Sequence, residues 1–306
     1  MAFELAFTTM VVFFLILAVG FAAGKFGIIT REAMPNLAGL CTNILLPSQL
    51  FYSTYVNITS DMLVANLPML ALSAGFYLII GLVTFGIAKV LRLPHDKDRV
   101  FMLCFMFGNT GFVGFPLLST LFPGTGLLYL SLFTVVDQLL FWTFGSWLAT
   151  ARDRDAHFHP RSILSPNIIM MATVFTIIFI GLPLPKLLVN ALSTLSNATT
   201  AICMMYLGAM LCFSKWARTL RRPEVYVGIV VKMVALPVLA ALAFRTIGLP
   251  TEMSQAMTII MALPVMTVVP MVARAHGNEG DYATGITAVT LLACVATIPL
   301  VTLIAV

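Results

Sequence analysis

The sequence predicts an all-α membrane protein: ten transmembrane helices arranged as two inverted five-helix repeats, with helices 4 and 9 broken. Three observations lead there. The chain has 306 residues, is 60% hydrophobic and only 9% charged, against roughly 25% charged in soluble domains. Its charges sit in short clusters between apolar runs of about 20 residues, the length that crosses a bilayer core. Its basic residues also alternate from one connection to the next, as a multi-span chain requires.

Taken in order, the spans are 5–24, 33–55, 66–91, 100–121, 126–150, 163–182, 187–213, 223–246, 253–273 and 281–305. The first begins without a preceding Lys or Arg and with Glu4, so it reads as a retained span and not a cleaved signal. Fourteen Lys and Arg residues fall in the odd-numbered connections, from Lys25 and Arg31 to Arg274, and only Lys186 and Arg245 in the even ones. The positive-inside rule then puts the odd connections in the cytoplasm and both termini outside, in a plasma membrane or a bacterial inner membrane.

An odd number of spans per half inverts the second half, which gives repeats over 1–150 and 163–306 joined by a short cytoplasmic linker, 151–162. Span 4 contains Gly108-Asn109-Thr110-Gly111-Phe112-Val113-Gly114-Phe115-Pro116, and span 9 contains Pro264-Val265-Met266-Thr267-Val268-Val269-Pro270. Pro116 and Pro270 stand 154 residues apart, about half the chain. Proline and glycine interruptions at matching places in two halves point to a transporter's binding site. Proline lacks an N–H, and backbone opened at membrane depth must line a cavity or be buried in protein. Opened half-helices there would present N–H groups suited to an anion.

Other polar residues sharpen the expectation. Asn43 lies four residues before Pro47 in span 2 and reads either as a substrate contact or as an interhelical bond. Asp137, beside Gln138 in span 5, and Lys232 in span 8 are ionisable at mid-membrane depth, each costing about 2.5–3.5 kcal/mol to insert. They are expected to pair, or Asp137 to sit in a hydrated pocket with Gln138; either serves as a proton- or sodium-coupling device or as a fixed structural pair. Gly20 and Gly24 form a small-residue pair for close packing against another helix or subunit. His157 and His159 belong to the linker, and the five cysteines lie in apolar segments without metal-ligand or redox spacing. With no Walker motif, HExxH or Ser-His-Asp set, neither an ATP-driven pump nor an enzyme is supported, and no metal, cofactor or nucleic-acid partner is expected.

At spans 4 and 9 the chain resembles the auxin efflux carrier family, which includes the plant PIN-FORMED exporters and bacterial organic-acid permeases. Asn109-Thr110 through Gly114-Phe115-Pro116-Leu117-Leu118 is similar to the family's first crossover helix. Ala262-Leu263-Pro264 through Pro270, with Thr284-Gly285-Ile286 and Ile298-Pro299-Leu300, is similar to the second and its following span. Pro47 and Lys232, before Pro237, also fit. The resemblance implies a scaffold of spans 1, 2, 6 and 7, which makes the homodimer contact, and a transport domain of spans 3–5 and 8–10 that moves as an elevator. Sodium/proton antiporters and bile-acid symporters share this plan, and in such antiporters an acid and a lysine pair at spans comparable to those of Asp137 and Lys232. The chain departs from the plant members at Val265 and Met266, where they carry a polar residue, and in its short linker. The function expected is transport of a small organic anion, a mono- or dicarboxylate such as malonate or malate, or an auxin-like one. Asn43, Asn109, Thr110, Pro116, Pro264, Thr267 and Pro270 would bind it, and Asp137, Gln138 and Lys232 would handle H+ or Na+. The rival is a cation/proton antiporter with Asp137 as ion ligand.

Overall fold

The structure, a computed structural model, describes residues 2–94, 96–153 and 166–305. The expected linker 151–162, apart from its first three residues, lies outside them, and so do His157 and His159. Among the described residues the chain is helical throughout, with α1 (Ala2–Lys25), α2 (34–57), a short α3 (Ser60–Ala65), α4 (Pro68–Val90), α5 (Lys97–Met106), α6 (Thr110–Leu121) and α7 (Gly126–Ala149). There follow α8 (Pro166–Ile180), α9 (Lys186–Phe213), α10 (Pro223–Ile247), α11 (Thr251–Met261), α12 (Val269–Ala275) and α13 (Gly280–Ala305). Six of these are long and apolar enough to cross a membrane by length and composition: α1, α4, α7, α9, α10 and α13. Shorter apolar helices cover Thr110–Leu121 and Ile169–Ile180.

Proline shapes the helices without ending them. The π-helical turns Cys41–Leu45, Thr110–Gly114 and Val231–Ala235 are followed by Pro47, Pro116 and Pro237. Proline has no N–H and its ring crowds the turn before it, so the backbone there widens into i→i+5 hydrogen bonds and then resumes as α-helix. The opened backbone read from Asn43 and Pro47 takes this form.

Pro116 and Pro270 are not themselves the breaks. Pro270 sits in the first turn of α12, where a missing N–H costs nothing, and Pro116 follows the π turn that opens α6. The chain leaves helical geometry earlier, at Phe107–Asn109 and across 262–268.

Tight packing joins α1 to α9. A Cβ at Gly208 would lie 1.9 Å from the Leu17 carbonyl oxygen, and one at Gly20 would lie 2.1 Å from that of Met205. The small-residue pair of α1 therefore packs on α9, Gly24 meeting Cys212, and the two backbones touch where no side chain could stand. α9 also packs along α2, and α8 packs on α2. A second group forms around α4, which contacts α5 and α7, with α11 against α7 and α10, and α13 against α12. Cys41, Cys104, Cys203 and Cys294 are buried. Buried hydroxyls are mostly satisfied within their own helix: Ser73 bonds the Met69 carbonyl at 2.7 Å, and Thr134 that of Leu130 at 2.7 Å.

The contrast between two glycines tests the α1–α9 contact. Gly208→Leu is expected to abolish most of the folded protein recovered in detergent, since overpacking into rigid backbone exceeds the usual ~1–3 kcal/mol. Gly86→Ala, where a Cβ would meet nothing within 4 Å, is expected to leave the thermal melting temperature unchanged or slightly raised.

Candidate functional site

The two helix breaks meet. Gly108 and Val265 form an isolated antiparallel bridge. The Asn109 N–H donates to the Pro264 carbonyl at 2.7 Å, and the Met266 N–H donates to the Phe107 carbonyl at 3.0 Å. Val265 N–H, facing the other way, donates to Thr290 Oγ1 on α13 at 3.2 Å. Each break frees backbone groups that lipid could not satisfy, and each supplies the partners the other lacks.

Glycine permits the approach. A Cβ at Gly108 would stand 3.4 Å from Leu263 Cβ and 3.6 Å from Lys232 Nζ, and one at Gly114 only 2.7 Å from Leu263 Cδ1. Asn109 caps the start of α6, its Oδ1 accepting from the Phe112 N–H at 3.0 Å. That bond fixes the amide's orientation and leaves Asn109 Nδ2 buried with no hydrogen-bond partner. A donor stranded in this way costs about 1–3 kcal/mol.

Asp137 and Lys232 do not form the ion pair that was one of the two expected arrangements, and Asp137 meets Gln138 as the other had it. Asp137 is 0% exposed; its Oδ1 accepts from the Tyr77 hydroxyl, and its Oδ2 accepts from Gln138 Nε2 at 2.9 Å. Trp142 Nε1 in turn donates to Gln138 Oε1 at 3.3 Å. Rings of Phe76, Phe107 and Phe133 pack on Tyr77. Lys232, 2% exposed, donates instead to the Leu263 carbonyl, which the break in the second crossover segment has freed. The pairing fails because each charge finds a nearer partner: Tyr77 reaches across from α4, and the opened backbone offers a carbonyl.

A cavity of about 770 Å³ opens beside the crossing. Thr267, 3% exposed, and Pro270 form part of its wall, with Tyr206 and Ala38 from the α1–α2–α9 side. Its mouth carries Arg31, Lys215, Arg218, Arg222 and Arg274 against Glu279 and Asp281.

The structure thus gathers Asn109, Pro264, Lys232 and Leu263 at the crossing itself, with Thr110 buried just beyond. Thr267 and Pro270 border the cavity, and Asp137 and Gln138 sit in the adjoining aromatic pocket. Pro116 is buried one turn along α6, its carbonyl engaged by Ser119 and Thr120. Asn43 is exposed on its π turn and takes no part in the crossing or the cavity wall. Tyr77 and Thr290 were not anticipated. The signal for Tyr77 was present: Ser73, Tyr77 and Thr84 recur at helical spacing on α4 and are all buried, a polar stripe facing inward in an otherwise apolar span.

A family described as membrane transport protein matches the chain over residues 5–162 and 156–302. The chain belongs to this family. The resemblance read from Asn109-Thr110 and from Pro264 to Pro270 is borne out by that match, and the protein is a multi-pass membrane transport protein and not an enzyme. It is similar to a protein described as an uncharacterized transporter from Methanocaldococcus jannaschii, 26% identical over 204 residues, which are 64% of this chain and 66% of the relative. The match thus spans just under two thirds of that relative's length.

The Asp137 pocket gives a direct test. Tyr77→Phe removes one donor from a buried carboxylate and is expected to destabilise the detergent-solubilised protein by about 1–3 kcal/mol. In an Asp137→Asn background the same change is expected to cost measurably less, since the charge it served is gone. Thermal unfolding of the four proteins of this cycle reads both numbers.

Proposed function

We propose that this membrane transport protein carries a small organic anion, a mono- or dicarboxylate such as malonate or malate, by secondary active or facilitated transport. The observation that carries the reading is the 770 Å³ cavity leading from five basic side chains at its mouth to Thr267 and Pro270 beside the crossing. A cation carrier would gain nothing from a basic entrance. At the crossing, beyond the cavity wall at Thr267, the Asn109 Nδ2 lacks a partner, as a donor reserved for a substrate oxygen would. The sealed Asp137 carboxylate, with both oxygens bonded to protein donors, is poorly suited to ligate a cation until Tyr77 or Gln138 moves.

In this reading the chain crosses the membrane ten times as two inverted halves, with α5–α6 and α11–α12 as broken spans 4 and 9. The basic mouth faces the cytoplasm and both termini lie outside. The cavity has walls from both helix groups, α2 and α9 on one side and α12–α13 on the other, so a sliding motion of one group against the other would close it here and open it on the far side. The α1, α2, α8 and α9 group serves as the scaffold of a homodimer, and the rest moves as an elevator. Asp137, Gln138 and Lys232 couple this motion to H+ or Na+.

Uptake of labelled malonate and malate into proteoliposomes, with imposed proton or sodium gradients, tests the reading. Saturable uptake is expected, and Asn109→Ala is expected to weaken apparent affinity about tenfold to a hundredfold, the worth of a hydrogen bond to a charged group. Cation flux that no organic acid stimulates would replace this reading with a cation/proton antiporter using Asp137.

A further inference from the structure

Between α9 and α10 the chain makes a 3₁₀ turn, Trp216–Arg221, that is docked firmly on α13. A Cβ at Gly285 would lie 1.9 Å from Thr219 Oγ1, so turn and helix touch where only glycine allows it. Arg222 stacks over the Tyr282 ring at 4.9 Å, and Tyr282 reaches Glu224 at 3.4 Å. The turn is therefore a fixed part of the cavity wall.

The basic residues around the mouth differ in what they already hold. Arg274 pairs with Asp281 at 2.6 Å, Arg222 with Glu224 at 3.5 Å, and Arg31 donates to the Phe213 carbonyl at 3.0 Å. Lys215 and Arg218 are exposed, border the cavity, and make no ion pair or side-chain hydrogen bond among the described residues. The positive-inside rule accounts for basic residues in this connection. It does not account for two uncommitted cations being placed at and just before a rigid turn, at the rim of a cavity that reaches Thr267 beside the crossing.

We propose that Lys215 and Arg218 form an anion-capture site, which takes a small carboxylate from solution at the mouth before it reaches Thr267 and the crossing. The proposal rests on the organic-anion reading above and adds a second, outer site to it. A concave mouth with walls of low dielectric focuses the field of uncompensated charges and raises the local concentration of a counter-ion. Lys215 lies just before the turn and Arg218 within it, so their charges share one rim without being tied together. Such a site favours dianions over monoanions and fades with salt, because exposed charges are screened over about 10 Å at 0.1 M.

The same chemistry could be met by a lipid phosphate, so the test separates the two sources. Thr284 also borders the cavity. In a Thr284→Cys protein at low ionic strength, a sulfonate-bearing thiol reagent is expected to react about tenfold faster than a trimethylammonium-bearing one. With Lys215→Gln and Arg218→Gln added, the preference is expected to vanish; with Lys215→Arg and Arg218→Lys it is expected to survive. Malonate binding to the purified protein in neutral phosphatidylcholine vesicles should weaken in the Gln pair by the same factor at low salt and not at high salt. Equal reactivity of the two reagents in the parent, or a preference the Gln pair retains, overturns the proposal. A preference that disappears when phosphatidylglycerol is added overturns solute capture and gives the site to a lipid headgroup. Because the reagent ratio needs no transported substrate, a parent that shows the preference but binds no malonate keeps the capture site and rejects malonate as the substrate.

Discussion

The structure depends on one constraint: backbone polar groups at membrane depth must find partners inside the protein. Two helices here are interrupted, and the interruptions are stable because they are hydrogen-bonded to each other. Asn109 to Pro264 and Met266 to Phe107 form a short antiparallel pairing in an otherwise helical chain. Everything around it follows as accommodation. Gly108 and Gly114 remove the side chains that would hold the segments apart, Thr290 takes the N–H that points away, and Lys232 takes the Leu263 carbonyl that no helix uses.

The two buried charges illustrate how a low-dielectric interior arranges itself. A charge taken out of water must be hydrogen-bonded, and attraction to a distant opposite charge is no substitute. Asp137 meets this with donors from α4 and from its own helix, Lys232 with a main-chain carbonyl. Neither depends on the other for its hydrogen bonds, so each can change partner without stranding the other. A fixed ion pair would lack that freedom.

Much of the fold was legible because bilayer length and charge placement are properties of composition. Helix lies on each of the apolar segments read from the sequence, and the breaks fall within the expected spans 4 and 9. The residues of breakage were less sharply marked: Pro264 lies in the second break and Gly108 in the first, while Pro270 starts the half-helix after its break and Pro116 follows a π turn within α6. Asn43 was drawn to the site by its depth in the span, but depth does not give the direction a helix face points, and it is exposed. Gln138 was read beside Asp137, but Tyr77 escaped notice because a tyrosine in an apolar span looks unremarkable until its neighbours at helical spacing are read with it. The mouth of the cavity was beyond a linear reading: its basic residues come from three separate stretches of chain, which only folding brings together.

The crossing has a further implication for how such a protein can change. Its joint is made wholly of main-chain atoms, with side-chain help from Thr290 and Lys232 at its edges. The joint itself asks of residues 265 and 266 only their main-chain groups, while their side chains answer to a different demand, burial among apolar neighbours. A polar replacement there would leave the bridge's own bonds in place and would have to find its own partner. Connection and filling are written in different atoms here, and the surroundings of the joint can be revised without redrawing the joint.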